Sequence, residues 1–148
     1  MDRESVRKFM SQYIESPTVR FLTKLGVSPN AITILGMVGA AASAILISIN
    51  LLAIGGLLFL LTSIFDMFDG ALARNTGKVS KFGALFDSTI DRISETLVLL
   101  GLLIHFIVTK SDPGIVLVYL TLASSILVSY IRARAGGLNV NCEVGVMT

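Results

Sequence analysis

The chain has 148 residues, 53% hydrophobic and 15% charged, with a mean hydropathy of +0.81. Such a mixture excludes an ordinary soluble domain, and a net charge of +2 is too small for a nucleic-acid-binding chain. Cys142 is the only cysteine, which excludes an intrachain disulfide and a thiolate metal cluster.

The first thirty residues carry Arg3, Arg7, Lys8, Arg20 and Lys24 and lack the apolar run of a signal peptide. Within them Val6, Phe9, Met10, Tyr13 and Ile14 recur at i, i+3, i+4, i+7 and i+8, while Arg3, Glu4, Arg7 and Lys8 fall largely elsewhere. This pattern predicts an amphipathic helix lying in the membrane interface against anionic headgroups.

Four apolar stretches follow. Residues 31–52 are about long enough to span a bilayer. Residues 53–65 are apolar and continue helically through residue 74; residues 82–108 form the third stretch and residues 115–131 the fourth. Asn50, then Asn75, Thr76 and Gly77, then Ser111, Asp112, Pro113 and Gly114 supply the turn signals between them. The expected fold is therefore all-α and integral to the membrane, with one interfacial helix and four transmembrane helices in a single domain over residues 1–148. With the N-terminus cytoplasmic, eleven of the twelve Lys and Arg lie in the cytoplasmic half, Lys110 being the exception. The same orientation puts the cytoplasmic ends of the second and third helices together.

Those two ends carry Asp66, Asp69, Gly70, Ala73, Arg74, Gly83, Asp87 and Asp91. They spell D-x-x-D-G-x-x-A-R, eight residues, then G-x-x-x-D-x-x-x-D. From ordinary residue usage each position matches about one time in fifteen, and all eight together below roughly 10⁻⁹ per starting point. Carboxylates in membrane segments cost several kcal/mol and mark function. Asp66 and Asp69 at i, i+3 share a helix face, as do Asp87 and Asp91 at i, i+4. Two such pairs on neighbouring antiparallel helices make an all-oxygen cage suited to Mg²⁺ or Mn²⁺, which prefer to share their shell with substrate phosphates. Gly70, Ala73 and Gly83 lie on the carboxylate face, where a side chain would block a nucleotide or a second helix. Arg74 offers a bidentate fork to a phosphate. A diphosphate held by two metals and an arginine is the natural content of such a site.

At these residues the chain resembles the CDP-alcohol phosphatidyltransferase family, whose signature D-x2-D-G-x2-A-R-x8-G-x3-D-x3-D is matched at every fixed position. Pro29, Asn30, Ala31, Ile32 and Thr33 resemble the family's P-N-x-x-T motif at the head of the first helix. The resemblance implies metal-dependent transfer of a phosphatidyl or related group from a CDP-lipid to a small alcohol, with release of CMP. It implies that Asp66, Asp69, Asp87 and Asp91 bind two divalent ions, Mg²⁺ or Mn²⁺, and that Asp91 also deprotonates the attacking hydroxyl. It assigns Pro29, Asn30, Ala31, Ile32, Gly70, Arg74, Ser80 and Gly83 to the CDP-lipid, CDP-diacylglycerol or CDP-archaeol. It further implies a multi-pass protein of the cell (plasma) membrane, a cytoplasmic site and a homodimer. Family members usually have six membrane helices, so the chain is expected to lack the last two, together with one more ligand for the acceptor.

The acceptor is read from Ser129, Tyr130, Ile131, Arg132, Ala133, Arg134 and Ala135. This run looks like the Y-x-[KR]-A-R-A of the family branch that uses inositol phosphate, whose product is a phosphatidyl- or archaetidylinositol phosphate. Basic residues there suit an acceptor that itself carries a phosphate, but positive-inside anchoring explains a helix-end arginine equally well. Arg132 and Arg134 lie about 200° apart on a helix, so one of them is expected to face the site. Glycerol phosphate is the rival acceptor, and a neutral alcohol such as serine is less favoured. Two readings from other classes are an intramembrane prenyltransferase, which lacks these Gly and Ala-Arg offsets, and a divalent-cation transporter, which would need acidic partners near Asn50 or Lys110 and finds Asp112 alone. His105, about four turns from Asp91, reads as a packing residue. Glu95, at i+4 from Asp91, either stands behind the metal site or snorkels to the cytoplasmic face.

Overall fold

A computed structural model describes residue 23, residues 26–75, residue 77 and residues 80–140, and for residues 65–69, 74 and 75 it describes the helical backbone alone. The predicted interfacial helix and the segment after residue 140 lie outside the described residues. Four helices make up the described chain: α1 Pro29–Ser48, α2 Leu52–Asn75, α3 Lys81–Val108 and α4 Asp112–Gly137.

Local chemistry sets their ends. Ser28 is extended (φ −81°, ψ 149°) and its Oγ accepts from the Ala31 N–H at 3.2 Å, with Pro29 in the first turn. A hydroxyl cap followed by proline starts a helix well, since proline lacks only a donor that would be orphaned there. Ser80 (φ −141°, ψ 153°) caps α3 in the same way, accepting from the Gly83 N–H at 2.9 Å. The first span is shorter than expected: α1 stops at Ser48 and Asn50 turns the chain at φ 72°, a left-handed conformation that asparagine tolerates. The fourth helix is longer at both ends. Asp112, Pro113 and Gly114 open α4 behind Ser111, where they read as a turn. Proline is welcome in a first turn, and Asp112 complements the positive end of the helix dipole. At the other end α4 runs to Gly137, so Arg132 and Arg134 are both helical.

α1 is the shared partner: it packs on α2 and on α3, while α4 packs on α3. Small residues let the backbones close. A Cβ at Gly39 would collide with the Thr62 side chain, and one at Gly55 would lie 2.6 Å from Ile47 Cγ1. Ser43 Oγ donates to the Gly55 carbonyl at 2.6 Å across the same antiparallel seam. Between helices in lipid, where apolar burial drives little, close approach and interhelical hydrogen bonds hold the bundle. The core is correspondingly thin: Ile32, Ala71 and Leu72 form one cluster, and Ala40, Ile47 and Val98 another. Large apolar side chains face outward on every helix, among them Leu35, Leu57, Val108 and Leu117. Of the described helices, α1 and α4 are long and apolar enough to cross a membrane, and residues Leu52–Ile64 add a shorter apolar stretch within α2.

Candidate active site

The start of α1, the end of α2, the start of α3 and the end of α4 lie toward one end of the bundle. Ile32, 3% exposed, packs against Ala71 and Leu72, which joins the first turn of α1 to the stretch between Gly70 and Ala73. Ala44 and Gly101 mark the crossing of α1 and α3. Asn30 lies fourteen residues before Ala44 and Asp87 fourteen before Gly101. On two parallel helices both therefore stand about 21 Å from that crossing, at one height. Asp91 sits a turn deeper.

Asp87 is half-buried and Asp91 exposed, each on the first half of α3. Asp66 and Asp69 lie on α2 within the turn that precedes Gly70; their side chains, like that of Arg74, are outside the described residues. Of the residues assigned to the CDP-lipid, Asn30 is exposed and Pro29, Ala31, Gly70 and Gly83 are half-buried. Ile32 is turned into the core, so a ligand at this turn meets Pro29, Asn30 and Ala31 before it. Ser80 has a structural task as the α3 cap. Among the described residues, a Cβ at Gly83 would touch only Ser80 Oγ, at 3.1 Å.

Glu95 is held by partners that the sequence did not point to. Its Oε2 accepts from Arg92 Nη1 at 2.5 Å, its Oε1 accepts from Ser125 Oγ at 2.7 Å, and Arg92 Nη1 also donates to Ser125 Oγ at 2.9 Å. The three side chains close a ring of hydrogen bonds between α3 and α4. Arg92 and Ser125 were not singled out by sequence, although Arg92 and Glu95 at i, i+3 carry an ion-pair signal. Moving seven residues from Ser125 along α4 turns the helix by about 700°, almost back to the same face, and reaches Arg132. Arg134 lies about 180° from Ser125, on the far face. Both arginines are exposed.

The donors at this end suit a hard cation. Asp87 and Asp91 offer carboxylate oxygens one turn apart, the donor type that Mg²⁺ and Mn²⁺ take. Among the described residues the nitrogen donor His105 is elsewhere, buried against Phe106 with ring centroids 5.2 Å apart; Cys142 is outside the described residues.

The family model for CDP-alcohol phosphatidyltransferase matches residues 26–144. The chain belongs to the CDP-alcohol phosphatidyltransferase family. Among curated proteins it is 39% identical over 114 residues to the archaetidylinositol phosphate synthase of Pyrococcus horikoshii, covering 77% of this chain and 58% of that protein. It is 38% identical over 124 residues to the phosphatidylinositol phosphate synthase of Mycobacterium tuberculosis, covering 82% and 57%. The crystal structure of the M. tuberculosis phosphatidylinositol phosphate synthase in complex with manganese and citrate superposes with a TM-score of 0.83 at 35% identity, over 91% of this chain and 66% of that one. The structure of the same protein with CDP-DAG bound gives 0.82 at 35% identity, over 91% and 69%. The chain spans about three fifths of the length of the curated relatives it matches.

Proposed function

We propose that this chain forms the CDP-lipid and metal-binding part of a membrane enzyme that transfers a phosphatidyl or archaetidyl group to inositol phosphate, releasing CMP. One observation carries the reading: an intact eight-position family signature on α2 and α3, with the α2 part packed beside the first turn of α1. The relatives named as inositol phosphate synthases, and the related structures holding manganese and CDP-DAG, support it. Asp66, Asp69, Asp87 and Asp91 would hold two Mg²⁺ or Mn²⁺ ions. Divalent ions supply charge neutralisation for a diphosphate and its leaving group.

The protein's own groups account for the rest. Pro29, Asn30, Ala31, Gly70, Gly83 and Arg74 hold the nucleotide and diphosphate, with backbone contributions from Ile32 and Ser80. Asp91 accepts the proton of the attacking hydroxyl. The new bond joins that oxygen to the lipid-side phosphorus while the bond from this phosphorus to the CMP oxygen breaks. Arg132 shares the α4 face of Ser125 and meets the acceptor's own phosphate, whereas Arg134 serves headgroups. We place the site at the cytoplasmic face of the cell membrane, crossed by all four helices, in a homodimer. Glycerol phosphate stays the rival acceptor, since it presents the same phosphate to Arg132.

The test is a panel of acceptors offered to membranes containing the protein, with labelled CDP-diacylglycerol and CDP-archaeol as donors. Inositol phosphate is expected to give a labelled phospholipid and stoichiometric CMP. Turnover with glycerol phosphate alone would reassign the acceptor, and transfer from a prenyl diphosphate would overturn the class.

A further inference from the structure

The hydrogen-bonded ring of Arg92, Glu95 and Ser125 begins one residue beyond Asp91 and is a polar link between α3 and α4. The elements it joins differ in what they carry: α3 bears Asp87 and Asp91, and α4 bears Arg132. Nearer the opposite end the two helices approach through apolar groups: a Cβ at Gly114 would lie 2.5 Å from the Phe106 ring, and Val118 is buried. Apolar contacts between helices in lipid set neither height nor rotation sharply, because lipid chains compete on equal terms. A ring of three hydrogen bonds, two of them to a carboxylate, does set both.

Geometry fixes what the ring aligns. α3 and α4 run antiparallel, and seven residues beyond Ser125, about 10 Å along α4, is Arg132. Five residues back from Arg92 on α3, over a similar height, is Asp87. Arg132 therefore stands at the level of Asp87 on the α4 face that Ser125 turns to α3. Rotating α4 by half a turn would bring Arg134 there instead.

We infer that Arg92, Glu95 and Ser125 are positioning residues for the acceptor: they lock the height and rotation of α4 on α3, and so hold Arg132 opposite the Asp87–Asp91 pair. The inference rests on the reading of Arg132 as the acceptor's phosphate contact. Losing the lock costs acceptor binding through Arg132, and leaves the donor's groups on α1, α2 and α3 in place.

A double-mutant cycle on the full chain in membranes tests this, with KM measured separately for inositol phosphate and CDP-lipid. Ser125→Ala and Glu95→Gln are each expected to raise the acceptor KM about tenfold, misplacement of a contact by an ångström being enough for that. The CDP-lipid KM stays within about twofold, and Ser125→Thr, which keeps the hydroxyl, restores the acceptor KM. In an Arg132→Gln background Ser125→Ala adds nothing, since the residue it positions is gone. Additive effects of the two changes would overturn the inference, as would a parallel rise in both KM values. If Ser125→Ala does not accumulate in the membrane, Glu95→Gln carries the same cycle. The underlying reading fails in a different way: Arg132→Gln alone would then leave the acceptor KM unchanged.

Discussion

Gly101 of α3 lies so close to Ala44 of α1 that a Cβ at position 101 would stand 2.8 Å from the Ala44 Cα and 2.9 Å from its carbonyl carbon. Both are backbone atoms, so neither can swing aside. Gly101→Val is expected to cost about 1–3 kcal/mol, the usual penalty of overpacking, and to lower the thermal stability of the extracted protein. Activity falls with it, because this crossing sets the height of Asp87 against Asn30. Gly56→Ala is the control, as a Cβ there meets nothing within 4 Å; equal melting temperatures for Gly101→Val and wild type would refute the crossing.

Gly83 gives the opposite expectation. With only Ser80 Oγ near a Cβ at this position among the described residues, Gly83→Leu should leave insertion and melting temperature close to wild type while abolishing CDP-lipid binding. Binding of labelled CDP-lipid to the detergent-extracted variant measures this. Normal affinity would mean that the glycine keeps no space for the nucleotide.

Asp91→Asn removes the proposed base but keeps an oxygen one turn from Asp87. Transfer should fall by about 10²–10⁴, the usual worth of general base catalysis, while CDP-lipid binding remains measurable. An active Asp91→Asn enzyme would end the assignment.

Removing divalent ions with a chelator should stop turnover, and Mg²⁺ or Mn²⁺ should restore it. Clustered carboxylates without a cation repel a diphosphate as they repel one another. Undiminished turnover in chelator would remove the metal cage and the chemistry built on it.

Arg132→Gln should raise the acceptor KM roughly ten- to a hundredfold, the equivalent of losing a charge-assisted bond of about 1.5–3 kcal/mol. Arg134→Gln, on the far face of α4, should change it little. Equal effects would show that the two arginines act through membrane anchoring.

Much of this was legible in one dimension because the information is local. Helix lengths follow apolar runs, the Ser28–Pro29 start follows cap chemistry, and the family follows from fixed offsets between Asp66 and Asp91. The opening of α4 was misread because Asp112, Pro113 and Gly114 are turn residues and first-turn residues alike; the close approach of Gly114 to Phe106, where a Cβ would collide with the ring, is a tertiary feature that local composition does not carry. Glu95 was ambiguous because its partner Ser125 is thirty residues away, and only the pairing of α3 with α4 brings them together. The small-residue seam at Gly39, Gly55 and Gly101 was likewise invisible: in an apolar sequence a glycine looks the same whether it faces lipid or a backbone.

The central place of α1 also makes it the common reference for both halves of the aspartate signature. α1 and α2 are neighbours in sequence and meet through Ser43, Gly55, Gly39 and Thr62. α3 packs on α1 through Gly101 and Ala44. The two acidic pairs thus sit on separate helices, each measured against a third that carries no aspartate of its own. A side chain that pushes α1 off either partner would put the two pairs out of register without touching a carboxylate.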